Sequence, residues 1–278
     1  MLEDLRLPPG LDGLAMRHRA GHAGARSHRH AEVEVTLVLR GSATYLLGSR
    51  CYQLTPGTLA WLFPAQEHLL VNESADHELW WAVFTPALVS RTAHDPAARP
   101  LLEADPGGEF SRRLPALAAS RLAALFAEVR AAETHDLALA NAGLAYLLLR
   151  AWQAFRDEGT ALDGTGVHPA VAAAARLISA DPRAGSLTQL ARAAGLSPGH
   201  LSRLFKAQTG IPLSRYRNQQ RLHRFLLTYG TGQHPTALNA ALAAGFGSYA
   251  QFYRVCRQET GRTPATLHPA SRDDPVDK

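Results

Sequence analysis

A pattern of about 50 residues occurs twice near the C-terminus, and it restricts the possible folds more than any other feature of the chain. Ala191-x3-Gly195-Leu196 returns as Ala241-x3-Gly245-Phe246, 50 positions on. Leu201-x-Arg203-x-Phe205-Lys206 returns as Phe252-x-Arg254-x-Cys256-Arg257, and Gly210 as Gly261, 51 positions on. Such self-similarity marks repeated supersecondary units. Each unit reads as helix, tight turn, helix. Ser186-x-x-Gln189 has the form of a capping box, and Gly195 suits the left-handed residue that ends the helix. Ser197 caps the next helix, with Pro198 at its first position. Leu201, Leu204 and Phe205 then form a buried stripe, while His200, Ser202, Arg203 and Lys206 face outward. In the second unit Ser248-x-x-Gln251 starts a helix that buries Phe252, Val255 and Cys256. It shows Tyr249, Gln251, Tyr253, Arg254 and Arg257.

Charge says what these outward faces meet. Residues 167–278 hold 14 Lys+Arg and 5 Asp+Glu, a net +9, whereas residues 1–166 hold 15 and 19, a net −4. Between Val167 and Ala270 only Asp181 and Glu259 oppose 12 basic residues. A basic unit beside an acidic one points to a polyanion partner. A short-turned helix pair with a basic, amide-bearing second helix is the helix-turn-helix layout. That helix enters the major groove, where Arg reads guanine and Gln reads adenine. A bundle with merely solvated faces would explain neither the repeat nor the charge.

The stretch 186–267 resembles the DNA-binding domain of AraC-type transcriptional regulators, through LARAAGLSPGHLSRLFKAQTGIPLSRYRNQQRL and AALAAGFGSYAQFYRVCRQETGRTP. The resemblance implies seven helices, with a long helix over about 212–227 joining two subdomains, and recognition helices that meet adjacent major-groove segments. It places Gly199, Ser202 and Arg203 at reading positions of the first helix and Tyr249, Gln251 and Arg254 at those of the second. Gly199 has no side chain with which to read a base. The family has Ala where Phe225 stands, Phe where Cys256 stands, and Tyr-Arg where Leu267-His268 stands. The smaller Cys256 predicts looser packing of the second subdomain, and the glycines of 229–234 predict a more mobile one.

The N-terminal half reads differently. Residues 1 to about 88 carry a β-branched run, Glu32–Leu39, and turn signals at Gly41-Ser42, Gly48-Ser49 and Pro56-Gly57. Short strands at this spacing predict a small barrel or sandwich. His28-x-His30-x3-Glu34-x6-Gly41 resembles the first cupin motif, and Pro64, His68 and Asn72 follow the second. Positions 28, 30 and 34 share parity, so a regular strand would point all three to one face, with His68 supplied by a neighbouring strand. Three imidazoles and a carboxylate suit a first-row divalent ion such as Zn, Ni, Fe or Mn. The resemblance also implies a pocket for a small effector in the barrel; His28, His30, Glu34 and His68 are candidates to line it, and Trp61 either stacks on the effector there or belongs to the barrel core. No cofactor is required by that reading; the metal is an option the four ligand-type side chains leave open. Trp80 and Trp81, as neighbours in a strand, must face opposite ways. Arg26, His77 and Glu78 have no fixed role.

The expected architecture is therefore an α+β chain of two domains. It comprises a cupin-like effector-sensing barrel (1–110), a helical dimerisation segment (111–158), a flexible linker (159–166), an AraC-type DNA-binding domain (167–270) and a disordered tail (271–278). Leu114, Leu117, Leu122, Leu125, Phe126 and Val129 mark one helix of the dimerisation segment, and Leu144, Leu147, Leu148, Trp152 and Phe155 a second. At 278 residues the chain has length for about two domains. Cys51 and Cys256, the only cysteines, fit no metal or redox spacing and exclude a disulfide framework. No run approaches the ~18 apolar residues of a membrane span. The expectation is a cytoplasmic, homodimeric, non-enzymatic regulator, an activator or a repressor. It binds promoter DNA and a small-molecule effector and can contact RNA polymerase. The alternatives are a metal-dependent cupin enzyme and a regulator whose signal is the metal itself, both using His28, His30, Glu34 and His68.

Overall fold

The computed structural model describes residues 5–20, 28–183, 185–229 and 236–267. The chain folds into two compact units, one ending at Val167 and the other starting at His168.

The first unit is a two-layered β-sandwich with helices on one outer face. Its strands are β1 (Gly13–Arg19), β2 (Val33–Arg40), β3 (Ala43–Leu47), β4 (Arg50–Leu54), β5 (Thr58–Leu62), β6 (His68–Val71), β7 (Glu78–Phe84), β8 (Ser111–Arg113), β9 (Thr160–Ala161) and β10 (Thr165–Gly166). They form a six-stranded sheet ordered β1-β7-β2-β5-β8-β9 and a four-stranded sheet ordered β10-β4-β3-β6. The expected barrel is thus an open, cupin-like pair of sheets.

Strand parity explains the layers. In β2, Val33, Val35 and Leu37 point outward into a core shared with the helices. Val38, of the opposite parity, joins Tyr45, Leu47, Tyr52, Leu54, Leu62 and Leu79 between the sheets. A one-residue slip would exchange the two sets, so this register is strongly specified. The helix layer consists of α1 (Pro86–Thr92), α2 (Ala116–Ala132) and α3 (Leu137–Asp157). Asp136 caps α3 by accepting from the Leu139 amide at 3.0 Å. Leu122, Phe126, Leu144 and Leu148 press on the six-stranded sheet. Leu117, expected on the buried stripe, is 64% exposed.

The segment 159–166 is not the free linker its composition suggests. Its strands β9 and β10 pair with β8 and β4, one on each sheet. Each covers a strand edge whose backbone groups would otherwise be open to other chains. The segment 89–110, rich in Pro, Asp and Gly, contains the end of α1 and a 3-10 turn at Pro96–Leu102.

The second unit holds α4 (Pro169–Ala180), α5 (Leu187–Ala193), α6 (Pro198–Thr209), α7 (Leu213–Tyr229), α8 (Ala237–Ala243) and α9 (Tyr249–Thr260). Where seven helices are expected, the described residues show these six and a 3-10 turn at Pro264–Leu267. Helix α7 ties the two halves together. Tyr216 packs on Phe205 of α6 at 5.5 Å and donates its hydroxyl to the Ala175 carbonyl of α4 at 3.2 Å. Near the other end of α7, Phe225 lies 4.4 Å from Phe252 of α9.

The second half is not loosely packed. Phe225 and Cys256 share one cluster with Phe246 and Phe252, and both are fully buried. The large residue at 225 makes up the volume given up at 256, and cores tolerate swaps that conserve total volume. Residues 230–235, where two of the loop glycines fall, lie outside the described residues, as do His268 and the tail.

Candidate nucleic-acid interface and sensor site

Both halves of the second unit build the same turn. Gly195 takes φ +66° and Gly245 φ +99°, a region L side chains rarely occupy, so the chain reverses after α5 and α8 at glycine. The Ser197 hydroxyl then accepts from the His200 amide at 3.3 Å, and the Ser248 hydroxyl from the Gln251 amide at 3.2 Å. These caps fix the directions of α6 and α9. The predicted capping box at Ser186 and Gln189 is present in full.

Helix α6 buries Leu201, Phe205 and Thr209 and exposes Gly199, His200, Arg203 and Lys206, with Ser202 half-exposed. Helix α9 buries Phe252, Val255 and Cys256 and exposes Tyr249, Tyr253, Arg254 and Arg257. Gln251 departs from expectation. Its Oε1 accepts from the Gly247 amide at 2.9 Å and its Nε2 points at Asn218 of α7, 3.5 Å away. This amide buttresses the turn and is half-buried.

Arg215, Arg217 and Arg221, basic residues of a type suited to phosphates, all lie on α7. Arg215 is held by Glu259 through two contacts, at 2.9 and 3.2 Å. Arg217 and Arg221, one turn apart, are half-buried. Nε and Nη2 of Arg217 and Nε of Arg221 are buried without a hydrogen-bond partner among the described residues. Burial pushes both guanidinium groups below their ordinary value, and the Arg217 charge depresses Arg221 further. A like-charged pair with unmet donors is suited to an anion.

In the first unit, His28, His30, Glu34 and His68 do come together. They do so around a bend at 31–32 and not along one regular strand. Residue 28 bridges to His68 at the start of β6, with backbone hydrogen bonds of 3.2 and 2.9 Å. His28 Nε2 and His68 Nε2 are 3.1 Å apart, His30 Nε2 and Glu34 Oε2 3.0 Å, and His68 Nε2 and Glu34 Oε2 3.9 Å. One nitrogen from each of the three imidazoles lies within 4.8 Å of the other two.

The other ring nitrogens explain this convergence. His30 Nδ1 donates to the Glu32 carbonyl at 3.1 Å and His68 Nδ1 to the Gln66 carbonyl at 3.2 Å. A carbonyl can only accept, so each Nδ1 carries the hydrogen and each Nε2 lone pair is left for the centre. Burial pushes His30 down, but the hydrogen bond and charge of Glu34 outweigh it and hold the imidazole above its ordinary value. Burial also pushes Glu34 up, and the surrounding histidines bring it below the ordinary range. His68 is pushed down to about 4, by burial first. These separations are close to the ~3.3 Å expected between ligand atoms around a tetrahedral ion with bonds near 2.0–2.1 Å.

Trp61 is not among these side chains. It is fully buried in the helix-side core, edge-on to Trp152 at 5.4 Å. Its parity matches Leu59, not Leu62. Trp80 also faces the helices, stacking on Phe126 at 5.9 Å, and Trp81 turns to the sandwich interior. The Tyr45 ring lies 6.2 Å from His68. Its hydroxyl is pushed well up, by burial first and then by Glu34 and Glu73. Thr36 Oγ1 is buried with no partner among the described residues. Thr36 shares the parity of Glu34, and Trp81 the opposite parity to Trp80, which was the available sequence signal. Arg26 lies outside the described residues.

Family comparisons agree with this division. Residues 11–149 match the model of the AraC-like ligand binding domain, and residues 190–268 match a helix-turn-helix domain model. No curated protein matches. Among solved structures, the chain is similar to unsaturated fatty acid-bound ToxT from Vibrio cholerae. Identity is 11%, coverage 92% of this chain and 94% of that one, and the TM-score 0.40. It is also similar to the C-terminal domain of AraT, a response regulator from Geobacillus stearothermophilus, at 17% identity over 41% of this chain and 95% of that one, TM-score 0.35. For the AraC-like transcriptional activator CuxR the values are 13% identity, 76% and 72% coverage, and TM-score 0.34. The chain belongs to the AraC family of transcriptional regulators, with a ligand-binding N-terminal domain and a helix-turn-helix DNA-binding domain.

Proposed function

We propose that α6 and α9 read promoter DNA and that a small molecule held between the two sheets controls this reading. The observation that carries the proposal is the pair of matched caps, which aim two helices with exposed arginines from one basic unit. Arg203 and Arg254 make the specific base contacts, with Ser202 and Tyr249 beside them. His200, Lys206, Tyr253 and Arg257 border the same surfaces, and Gly199 allows close backbone approach. Gln251 supports the turn. Arg217 and Arg221 take phosphates, a role that Glu259 competes for at Arg215. Binding-site selection on the full chain and on Arg203→Ala tests this. Relaxation at one base position is expected, and an unchanged selected sequence would contradict the assignment.

The effector lies near Glu34, Thr36, Tyr45 and Trp81, a mixed polar and aromatic interior. A second form of the sensor has its own support. The converging Nε2 atoms of His28, His30 and His68 with Glu34 fit a divalent ion such as Zn, Ni, Fe or Mn, which would supply Lewis acidity to an effector group. The protein works as a cytoplasmic homodimer and contacts RNA polymerase when activating; it is not an enzyme. Exposed Leu117, Leu137, Leu139, Tyr146 and Leu149 on α2 and α3 give the dimer its apolar face. Sedimentation at micromolar concentration should show a dimer, and a strict monomer would contradict this. Among the described residues no helix is long and apolar enough to cross a membrane.

A further inference from the structure

A second group of ligand-type side chains lies beyond the other end of β6. His68 opens that strand, and Glu73 stands two residues past its end. Glu73 Oε2 is 2.6 Å from His18 Nε2 and 2.9 Å from His77 Nδ1. His18 comes from β1, and His77 immediately precedes β7. One ligand atom from each residue lies within 4.8 Å of the other two.

The backbone is arranged to bring them there. Asn72 takes φ +54°, the one left-handed non-glycine among the described residues. Gly41 takes φ +65°, and a Cβ on it would lie 2.6 Å from His77 Cα and 2.7 Å from His77 N. Only glycine lets the 72–77 loop close on the β2–β3 turn. The Ser74 amide donates to the Ser42 carbonyl and the Ala20 amide to the His77 carbonyl, both at 2.8 Å. Two left-handed residues and this clamp are a large local constraint for a surface loop. Its product is one carboxylate oxygen facing two imidazoles from separate strands.

The chemistry at that point is a ligand set. The His77 side chain is fully buried, and its Nε2 has no hydrogen-bond partner among the described residues. Its hydrogen bonding therefore runs through Nδ1 and Glu73. Burial pushes the Glu73 carboxyl up, but its imidazole hydrogen bonds and their charges bring it down to about 2. Two nitrogens and an oxygen suit a borderline divalent ion, with a fourth position left open. The 2.6 and 2.9 Å contacts would have to open by about 0.7 and about 0.4 Å to reach the ~3.3 Å separation of tetrahedral ligands.

We propose that His18 Nε2, Glu73 Oε2 and His77 Nδ1 form a second divalent-metal site, for an ion of the Zn(II) or Co(II) type, sharing no ligand with the His28, His30, Glu34 and His68 cluster. Bound there, the ion pins the end of β1 to the loop before β7. The test is a Co(II) titration of tag-free, chelator-stripped full-length protein carrying His28→Ala and His68→Ala, which dismantle the first cluster. One Co(II) per chain with visible d–d absorption is expected. Adding His18→Asn should remove the bands and weaken binding at least about tenfold. No Co(II) bound by the double variant, or binding unchanged by His18→Asn, overturns the site and leaves a hydrogen-bonded clamp. If the double variant does not fold, the comparison is the otherwise unaltered protein with and without His18→Asn. Loss of one Co(II) per chain supports the site, and unchanged stoichiometry overturns it.

Discussion

Arg203 and Arg254 occupy equivalent places in two copies of one motif, whereas the Gln251 side chain is tied back into its own turn through the Gly247 amide. Replacing Arg203 by Ala should cost about 1–3 kcal/mol at the preferred site and relax one base position. Arg217→Ala should instead weaken binding to all sequences alike and reduce the salt slope by about one, in titrations at several salt concentrations. Gln251→Ala should lower the melting temperature of the DNA-binding unit and leave the selected sequence unchanged. His68 carries a pH prediction for metal-free protein. Its imidazole falls from 6.5 to about 4 on folding. The unfolded chain then binds the proton more readily, so stability is retained above 6.5 and lost as pH drops toward 4. Urea midpoints measured between pH 7 and 4 should fall less steeply in His68→Gln.

At the scale of elements, the helical repeat is the most legible part of the chain. Its caps, its turn glycines and its buried stripes are all local, so spacing alone places α5, α6 and α9. The sandwich is less so, because sheet partners are distant in sequence. Parity tells which residues of β2 share a face, but not which face meets the helices. The sequence therefore leaves Trp61 open between pocket and core, whereas it belongs to the outer core. The segment 159–166 reads as a linker because nothing local records that β8 and β4 have open edges. Gln251 is legible as a polar position, while its partner Asn218, 33 residues away, is not. Phe225 and Cys256 each look like a defect alone and form a compensated pair only when α7 meets α9. Phe225→Ala should cost about 3–5 kcal/mol, and Cys256→Phe about 1–3 through overpacking. The double variant should be more stable than the sum of the two predicts. Urea unfolding followed by helical circular dichroism measures that coupling, and strict additivity would refute it.

For the molecule as a whole, the acidic sensor unit and the basic helical unit divide the work of one switch. A coupling of about 1–3 kcal/mol between effector and DNA is enough for a useful response, and it must appear equally in both binding constants. The division also assigns each cluster its test. Variants at His28 or His68 should change the response to effector or metal and leave intact the base preference of α6 and α9. All of this depends on the helical unit reading sequence. The most direct measurement is titration of the full-length protein against random-sequence and genomic upstream DNA at two salt concentrations. The account predicts tight binding to a few fragments with a steep salt slope, and loss of that preference in Arg203→Ala/Arg254→Ala. Equal affinity for all fragments, unchanged by the two substitutions, would contradict it.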